Sequence, residues 1–76
     1  MQHTVLFFGQ LAELTAKASI SVEAVDINSL LAVLEEEYPD LRKQKFAIAV
    51  NKKIVEGNID LKTESTVALL PPFSGG

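Results

Sequence analysis

A single amphipathic helix, ended by a proline, constrains the fold more than any other feature of this sequence. Five residues recur at i, i+3, i+4, i+7 and i+11, the spacing of one helix face: Ile27, Leu30, Leu31, Leu34 and Tyr38. Asp26 or Asn28 can cap the start of the helix. Pro39 ends it at the preceding residue, because a residue before proline is pushed out of the helical region. One helix covers only one face of a sheet, so the remaining apolar segments are predicted to form that sheet.

The apolar segments on either side of this helix predict five strands. The predicted strands are residues 4–8, 19–23, 46–51, 54–55 and 66–70, with a short helix at 10–17. The first and last strands are apolar on both faces, which favours central positions. A right-handed crossover places the last strand beside the first and parallel to it. The sequence therefore predicts an α+β domain of two layers, with one main helix across one mixed sheet.

Alternation along the two central strands separates a core face from an outer face. Val5, Phe7, Val67 and Leu69 share one face, and the other face carries Leu6, Phe8, Ala68 and Leu70. If the helix covers the first face, Phe8 and Leu70, joined by Ile54, form an exposed apolar patch where the last strand ends. Contiguous exposed patches of this kind usually mark interfaces. A covering of loops over the patch is the alternative.

The composition excludes several classes of protein. The chain has 76 residues, the size of one small domain, with no cysteine and a single histidine. Disulfides, thiolate metal sites and cysteine nucleophiles are therefore excluded, and a lone histidine cannot hold a metal. The net charge of −3 argues against nucleic acid as a partner. No apolar stretch approaches the roughly 20 residues of a membrane span and no signal peptide is visible, so a cytoplasmic protein that does not bind membranes is expected.

Charged residues are unevenly placed along the chain. Residues 23–40 contain six acids and no base, and residues 41–53 contain five bases and no acid. Two interpretations stay open: solvated faces that complement each other in the fold, or a docking surface for a charged partner. Lys52 and Lys53 are predicted to be solvated turn residues, and pairing with an acidic partner is the alternative. His3 is predicted to face solvent on the first strand.

The C-terminus has the shape of a tail that can enter another protein. Pro71 and Pro72 favour an extended backbone at the end of the last strand. The last four residues are Phe73, Ser74, Gly75 and Gly76. Glycine allows a partner's backbone to approach closely, and the residues from Pro71 onward span roughly 20 Å when extended. The tail can therefore place its carboxylate inside another protein's active site.

The terminal carboxylate is the group on this tail that can react. ATP can convert it into an acyl-adenylate, which an amine or a sulfur nucleophile can then attack. Gly76 has no Cβ to hinder that attack. Because the chain has no cysteine, its main-chain terminus is the remaining place where it can carry sulfur.

Three stretches together give the chain a resemblance to a known family. They are residues 5–10 with Glu13 and Leu14, residues 49–51, and residues 66–76. The last stretch, which ends Pro-Pro-Phe-Ser-Gly-Gly, is the most specific. On these motifs the chain resembles the MoaD-like small subunits of molybdopterin synthase, which are sulfur carriers of the ubiquitin-like β-grasp family. The resemblance covers the whole chain.

The resemblance implies a fold and a division of the chain. The fold is a β-grasp of the α+β class, a mixed sheet of about five strands with one main helix packed on one face. By analogy with the β-grasp pattern, the face that carries Val5, Phe7, Val67 and Leu69 is the core face. Residues 1–72 form the single domain, and residues 73–76 form a flexible, extended tail with a functional role.

The resemblance also implies a cycle with several partners in molybdenum cofactor biosynthesis. An E1-like adenylyltransferase uses ATP to adenylate the Gly76 carboxylate, and a sulfur donor converts the adenylate into a thiocarboxylate. The carrier, which holds no cofactor or metal, then docks on the large catalytic subunit with its last four residues in that subunit's active site. Sulfur passes there to the cyclic pyranopterin precursor. The expected complex is a heterotetramer of two small and two large subunits.

The chain is thus expected to be a non-catalytic, sulfur-donating subunit of a sulfurtransferase complex. The residues expected at the partner interface are Phe8, Ile54, Leu70, Pro71 and Pro72. Two alternatives remain. One is another ubiquitin-like sulfur carrier or protein modifier, serving thiamine, tRNA thiolation or lysine conjugation. The other is a binding module whose tail is inert.

Overall fold

Five strands, two α-helices and one 3₁₀ helix make up the structure, a computed structural model that describes residues 1–72. The strands are β1 (Gln2–Phe7), β2 (Ser19–Glu23), β3 (Ala47–Val50), β4 (Lys53–Val55) and β5 (Thr66–Leu70). The α-helices are α1 (Gln10–Thr15) and α2 (Ile27–Glu37), and the 3₁₀ helix is Pro39–Lys43. The tail predicted at residues 73–76 lies outside the described residues.

The strands form one mixed sheet in the order β2-β1-β5-β3-β4. β1 pairs with β2 in an antiparallel hairpin and with β5 in parallel, with Val5 opposite Val67 and Phe7 opposite Leu69. β3 is antiparallel to both β5 and β4. The predicted parallel pairing of the first and last strands is confirmed. The C-terminal strand therefore lies at the centre of the sheet, between two neighbours.

The core lies between α2 and one face of the sheet. The side chains with no exposed surface are Val5, Leu11, Leu30, Leu34, Val67 and Leu69. Phe7 packs edge-to-face against Tyr38, with ring centroids 6.0 Å apart at 76°. Such aromatic pairs contribute about 0.5–1.5 kcal/mol beyond the area that they bury. Val5, Phe7, Val67 and Leu69 are all buried, which confirms the core face expected from the β-grasp resemblance. The alternation of buried and outward side chains along both central strands follows the sequence pattern.

Asp26 fixes the start of α2. Its Oδ1 accepts a hydrogen bond from the Ser29 N–H at 2.8 Å, and the Ser29 hydroxyl oxygen accepts one from the Asp26 N–H at 3.2 Å, which completes a capping box. The Asn58 side chain donates to the second carboxylate oxygen at 3.3 Å. The backbone and side-chain hydrogen bonds from Ser29, followed by that from Asn58, hold the pKa of Asp26 below its usual value.

The Asp26 cap is expected to make stability depend on pH in acid. A carboxylate whose folded-state pKa is lowered stabilises the fold above its unfolded value of about 3.9, and that contribution disappears as the pH falls through the lower folded value. Asp26→Asn keeps a capping oxygen but cannot ionise. We expect the variant to melt below the wild type at pH 7 and the two melting curves to converge on acidification, as followed by circular dichroism. A constant difference down to pH 2 would contradict this.

His3 is buried, so the prediction that it faces solvent is wrong. Only 1% of its surface is exposed. Nδ1 accepts a hydrogen bond from the Ser65 N–H at 3.1 Å, and Nε2 then carries the proton and donates to the Ala24 carbonyl at 3.0 Å. Position 3 shares the parity of Val5 and Phe7, which puts the ring on the core side of β1. The prediction assumed that a polar side chain at this position faces solvent. Both ring nitrogens have backbone partners, so the ring is buried without an unpaired polar atom.

Replacing His3 by leucine is expected to destabilise the fold by about 2–4 kcal/mol, because the Ala24 carbonyl and the Ser65 N–H would lose their partners in a buried site. Urea unfolding followed by fluorescence or circular dichroism measures the change. Thr4→Ala, at the neighbouring exposed position, is the matched control and should leave the midpoint nearly unchanged. Equal midpoints for the wild type and His3→Leu would show that the imidazole bridges are dispensable.

The segment after α2 forms an element that the sequence analysis missed. Pro39–Lys43 is a 3₁₀ helix, and it buries Leu41 to 1% exposure against the core. It also carries two ion pairs between the acidic and basic stretches, Arg42 to Glu35 at 3.4 Å and Lys43 to Asp40 at 3.9 Å. The two stretches thus complement each other at these positions. Exposed pairs of this kind contribute at most about 1 kcal/mol each.

Candidate functional site

An apolar groove of about 530 Å³ lies on the face of the sheet opposite α2. Its apolar lining consists of Leu6, Phe8, Ala49, Ile54, Ala68 and Leu70. Phe8 is 44% exposed and Ile54 is 59% exposed, which is unusual for side chains of this size. Asn51, Lys52 and Thr66 complete the rim. The groove is therefore an open apolar surface with a polar margin at one end.

The sequence makes this groove by placing small residues between large ones. Ala49 of β3 lies opposite Ala68 of β5 and, on its other side, opposite Ile54 of β4. Two neighbouring alanines leave a depression in the middle of the sheet face. The larger side chains of Phe8 and Leu70 border this depression at one end, and Ile54 borders it along one side. A phenylalanine or isoleucine at either alanine position would fill the depression.

The predicted patch residues come together as one surface. Phe8, Ile54 and Leu70 all line the groove, and Pro71 and Pro72 follow Leu70 directly. Within residues 1–72 no loop covers the patch, since Phe8 and Ile54 stay exposed. Their role as a partner interface remains a prediction. The sequence analysis missed the contribution of Ala49 and of the rim, because these depend on which residues face each other across β3, β4 and β5.

The point where the chain leaves β5 is held by the loop after β1. Gly9 has φ of +56°, and a Cβ at this position would lie 2.8 Å from Cγ of Pro71. The Phe8 N–H also donates to the Leu69 carbonyl at 3.3 Å. An alanine at position 9 would be strained by its backbone and would displace Pro71. The loop after β1 thus packs against Pro71 beside the groove.

A tight turn forms the polar end of the groove. Asn51 and Lys52 connect β3 to β4 with φ of 50° and 75°, the backbone of a two-residue hairpin with both central residues left-handed. Asn51 Oδ1 accepts from the Thr66 N–H at 3.0 Å, and the Asn51 N–H donates to the Thr66 carbonyl at 2.8 Å. The turn is therefore fastened to the beginning of β5.

The lining of the groove is mostly apolar. Of its lining residues in the described part of the chain, Lys52 alone is charged. Residues 1–72 contain no group of three or more His, Asp or Glu that could hold a metal ion. Over the same residues, no helix is long and apolar enough to cross a membrane. The arrangement can bury a partner's apolar side chains next to the chain terminus.

Comparison with known proteins identifies the family. The family model described as the ThiS family matches residues 5–76, nearly the whole chain. The chain belongs to the ThiS family. Among solved structures, this ThiS-family chain is 30% identical to a chain in the complex of subunits 1 and 2 of molybdopterin-converting factor from Helicobacter pylori 26695. That match covers 100% of both chains with a TM-score of 0.76.

Two further structures share the fold at lower identity. A putative molybdopterin converting factor subunit 1 from Pyrococcus furiosus superposes with a TM-score of 0.88 at 17% identity, over 96% of this chain and 99% of the other. Small archaeal modifier protein 1 from Haloferax volcanii superposes with a TM-score of 0.84 at 20% identity, over 100% of both chains. The ThiS-family chain therefore has the ubiquitin-like β-grasp fold, as the sequence motifs predict.

Proposed function

We propose that this chain is the sulfur-carrier subunit of a molybdopterin synthase. The observation that carries the proposal is the exposed apolar groove at the end of β5, from which Pro71 and Pro72 lead into the Gly-Gly terminus. The structure of a 30% identical chain in complex with subunit 2 of molybdopterin-converting factor supports a large-subunit partner. The groove docks on that subunit, and the tail delivers sulfur into its active site.

Activation begins at the carboxylate of Gly76. A carboxylate oxygen attacks the α-phosphorus of ATP on an E1-like adenylyltransferase, and pyrophosphate leaves. Hydrosulfide delivered by the sulfur donor then attacks the acyl carbon and expels AMP, and loss of the thioacid proton leaves a thiocarboxylate on Gly76. The absence of cysteine means that no side-chain thiol competes for the activated acyl group. ATP is used by the activating enzyme and is not a resident cofactor of this chain.

The carrier's own residues supply position rather than chemistry. Phe8, Ile54 and Leu70 bury apolar area against the large subunit, which holds the root of the tail at a fixed place. Pro71 and Pro72 limit the directions in which the tail can leave. Sulfur then passes to the cyclic pyranopterin precursor, with the acid and base groups coming from the large subunit. Two carriers and two large subunits form the assembly in this proposal, in the cytoplasm.

A protein modifier is the strongest competing function. Small archaeal modifier protein 1 shares this fold, and a modifier would use the same activation of its terminus. The two functions differ in the acceptor, which is a lysine amine for a modifier and a pterin precursor for the synthase subunit. The same difference separates the proposal from carriers that serve thiamine or tRNA thiolation.

Intact-mass analysis after alkylation tests sulfur carriage. The protein is incubated with the E1-like enzyme encoded in the same genome, ATP and sulfide, and then treated with iodoacetamide. We expect an ATP-dependent adduct on the Gly76 peptide, which can only be a thiocarboxylate because the chain has no cysteine. If the enzyme is shown to form the acyl-adenylate on this chain and no adduct appears, sulfur carriage is overturned.

The acceptor is tested in a second step. The thiocarboxylated chain is mixed with the large subunit and the cyclic pyranopterin precursor, and dithiolene formation is followed by mass spectrometry. We expect conversion that requires all three components. Conjugates to lysine with no conversion of the precursor would favour a modifier instead.

A further inference from the structure

Lys52 occupies a backbone conformation that favours glycine. Its φ of 75° is in the left-handed region, at the second position of a two-residue hairpin turn where glycine is the preferred residue. The chain itself uses glycine for this conformation elsewhere, since Gly57 has φ of +74°. A lysine in this region is strained by contact of its Cβ with the backbone. A lysine at this position therefore destabilises the free chain relative to glycine.

Contacts within the fold explain the left-handed backbone of Asn51, but they do not explain that of Lys52. The Asn51 side chain accepts the Thr66 N–H and so fastens the turn to β5. Lys52 is exposed, and its ammonium forms no ion pair with any residue from 1 to 72. Within this part of the chain, no ion pair of Lys52 therefore offsets the strain.

The position of Lys52 indicates what its side chain recognises. It lines the rim of the apolar groove and is the single charged residue among the described lining residues. An ammonium beside an exposed apolar surface fits a partner that presents a carboxylate next to its own apolar side chains. Charges at the rim of an interface act mainly on the rate of association and on the choice of partner, and they are screened by salt.

We infer that Lys52 is a specificity-determining residue of the groove, which pairs with an Asp or Glu side chain of the docking partner. The inference rests on the proposed function, in which that partner is the large subunit of molybdopterin synthase. The partner's surface then combines an apolar centre with an acidic residue placed at the β3–β4 turn.

Lys52→Gly is the variant that tests this, because glycine relieves the strained backbone. The probe is the large subunit encoded in the same genome, with binding measured by titration calorimetry or surface plasmon resonance. At about 0.05 M salt we expect the affinity to fall roughly threefold to tenfold, mostly through slower association. The difference should shrink near 1 M salt, where the screening length is about 3 Å. The variant should unfold at the same or a higher urea concentration than the wild type.

Two matched variants separate the pairing from a general charge effect. Lys53→Ala removes the same charge one residue later, but Lys53 lies opposite Val50, whose side chain packs against the core on the α2 side of the sheet. We expect it to bind like the wild type. Lys52→Arg keeps the charge at the rim and should recover most of the affinity.

The outcomes distinguish this inference from the proposed function. Wild-type affinity for Lys52→Gly at low salt, or equal losses for Lys52→Gly and Lys53→Ala, would overturn the role of Lys52 while leaving the proposed function intact. A lower unfolding midpoint for Lys52→Gly would show that Lys52 stabilises the fold, and this would also overturn the inference. If the wild-type chain does not bind the large subunit, the proposed function fails and the inference fails with it.

Discussion

A chain that ends one residue before or after Gly76 is expected to fold normally and to transfer no sulfur. One residue moves the terminal carboxylate by about 3.3–3.6 Å along an extended tail. A displacement of about 1 Å can already cost roughly 100-fold in rate, so transfer should fall by at least that factor. Within residues 1–72 the buried core cluster extends from Val5 to Leu69, so we expect a change at position 76 to leave the melting temperature nearly unchanged.

Single-turnover sulfur transfer to the pterin precursor and thermal unfolding are the two measurements for these terminal variants. An extra glycine before Met1 is the control, because it lengthens the chain by the same amount at the other end. That control should transfer sulfur at the wild-type rate. Transfer near the wild-type rate by the deletion or by the C-terminal extension would exclude a mechanism that runs through the carboxylate of Gly76.

Truncating Phe8 to alanine is expected to weaken docking on the large subunit by about 30-fold or more. Phe8 is the largest side chain lining the groove and stands beside the root of the tail. Buried aromatic anchors at interface centres typically contribute 2 kcal/mol or more, and about 1.4 kcal/mol corresponds to a tenfold change in affinity. The loss should come mainly from faster dissociation. Because Phe8 is 44% exposed in the free chain, the fold should tolerate the change.

Val33→Ala is the matched control for this experiment. Val33 is 42% exposed, close to the exposure of Phe8, but it lies on α2, on the other side of the sheet. Removing it also deletes apolar surface without touching the groove. We expect wild-type affinity for Val33→Ala. Equal losses for the two variants would show that the groove is not the docking surface, and an unfolding curve for each variant excludes indirect effects of misfolding.

The sequence predicts most of this fold because local patterns and global packing agree. The apolar periodicity that ends at Tyr38 predicts α2. Of the two candidate N-caps, Asp26 and Asn28, the structure shows that Asp26 is the cap. Alternation along β1 and β5 correctly separates the core side chains from Phe8 and Leu70. Each of these inferences needs only neighbours within one element, or a single crossover rule that joins two strands.

The features that escape prediction depend on contacts between distant parts of the chain. The burial of His3 requires the Ala24 carbonyl and the Ser65 N–H, which are 21 and 62 residues away. The 3₁₀ helix is positioned by the packing of Leu41 against the core, and five residues show too little periodicity to reveal it. The depth of the groove depends on two alanines from different strands that happen to face each other.

The central position of β5 has a mechanical consequence for the proposed function, in which the terminus is inserted into a partner and withdrawn again. A pull on Pro72 is transmitted along β5, whose ladder bonds to β1 and β3 run across the direction of force. Both ladders are then loaded in shear and share the load. A terminal strand at the edge of a sheet would have one ladder to resist the same force. The fold thus gives the tail an attachment that withstands repeated traction.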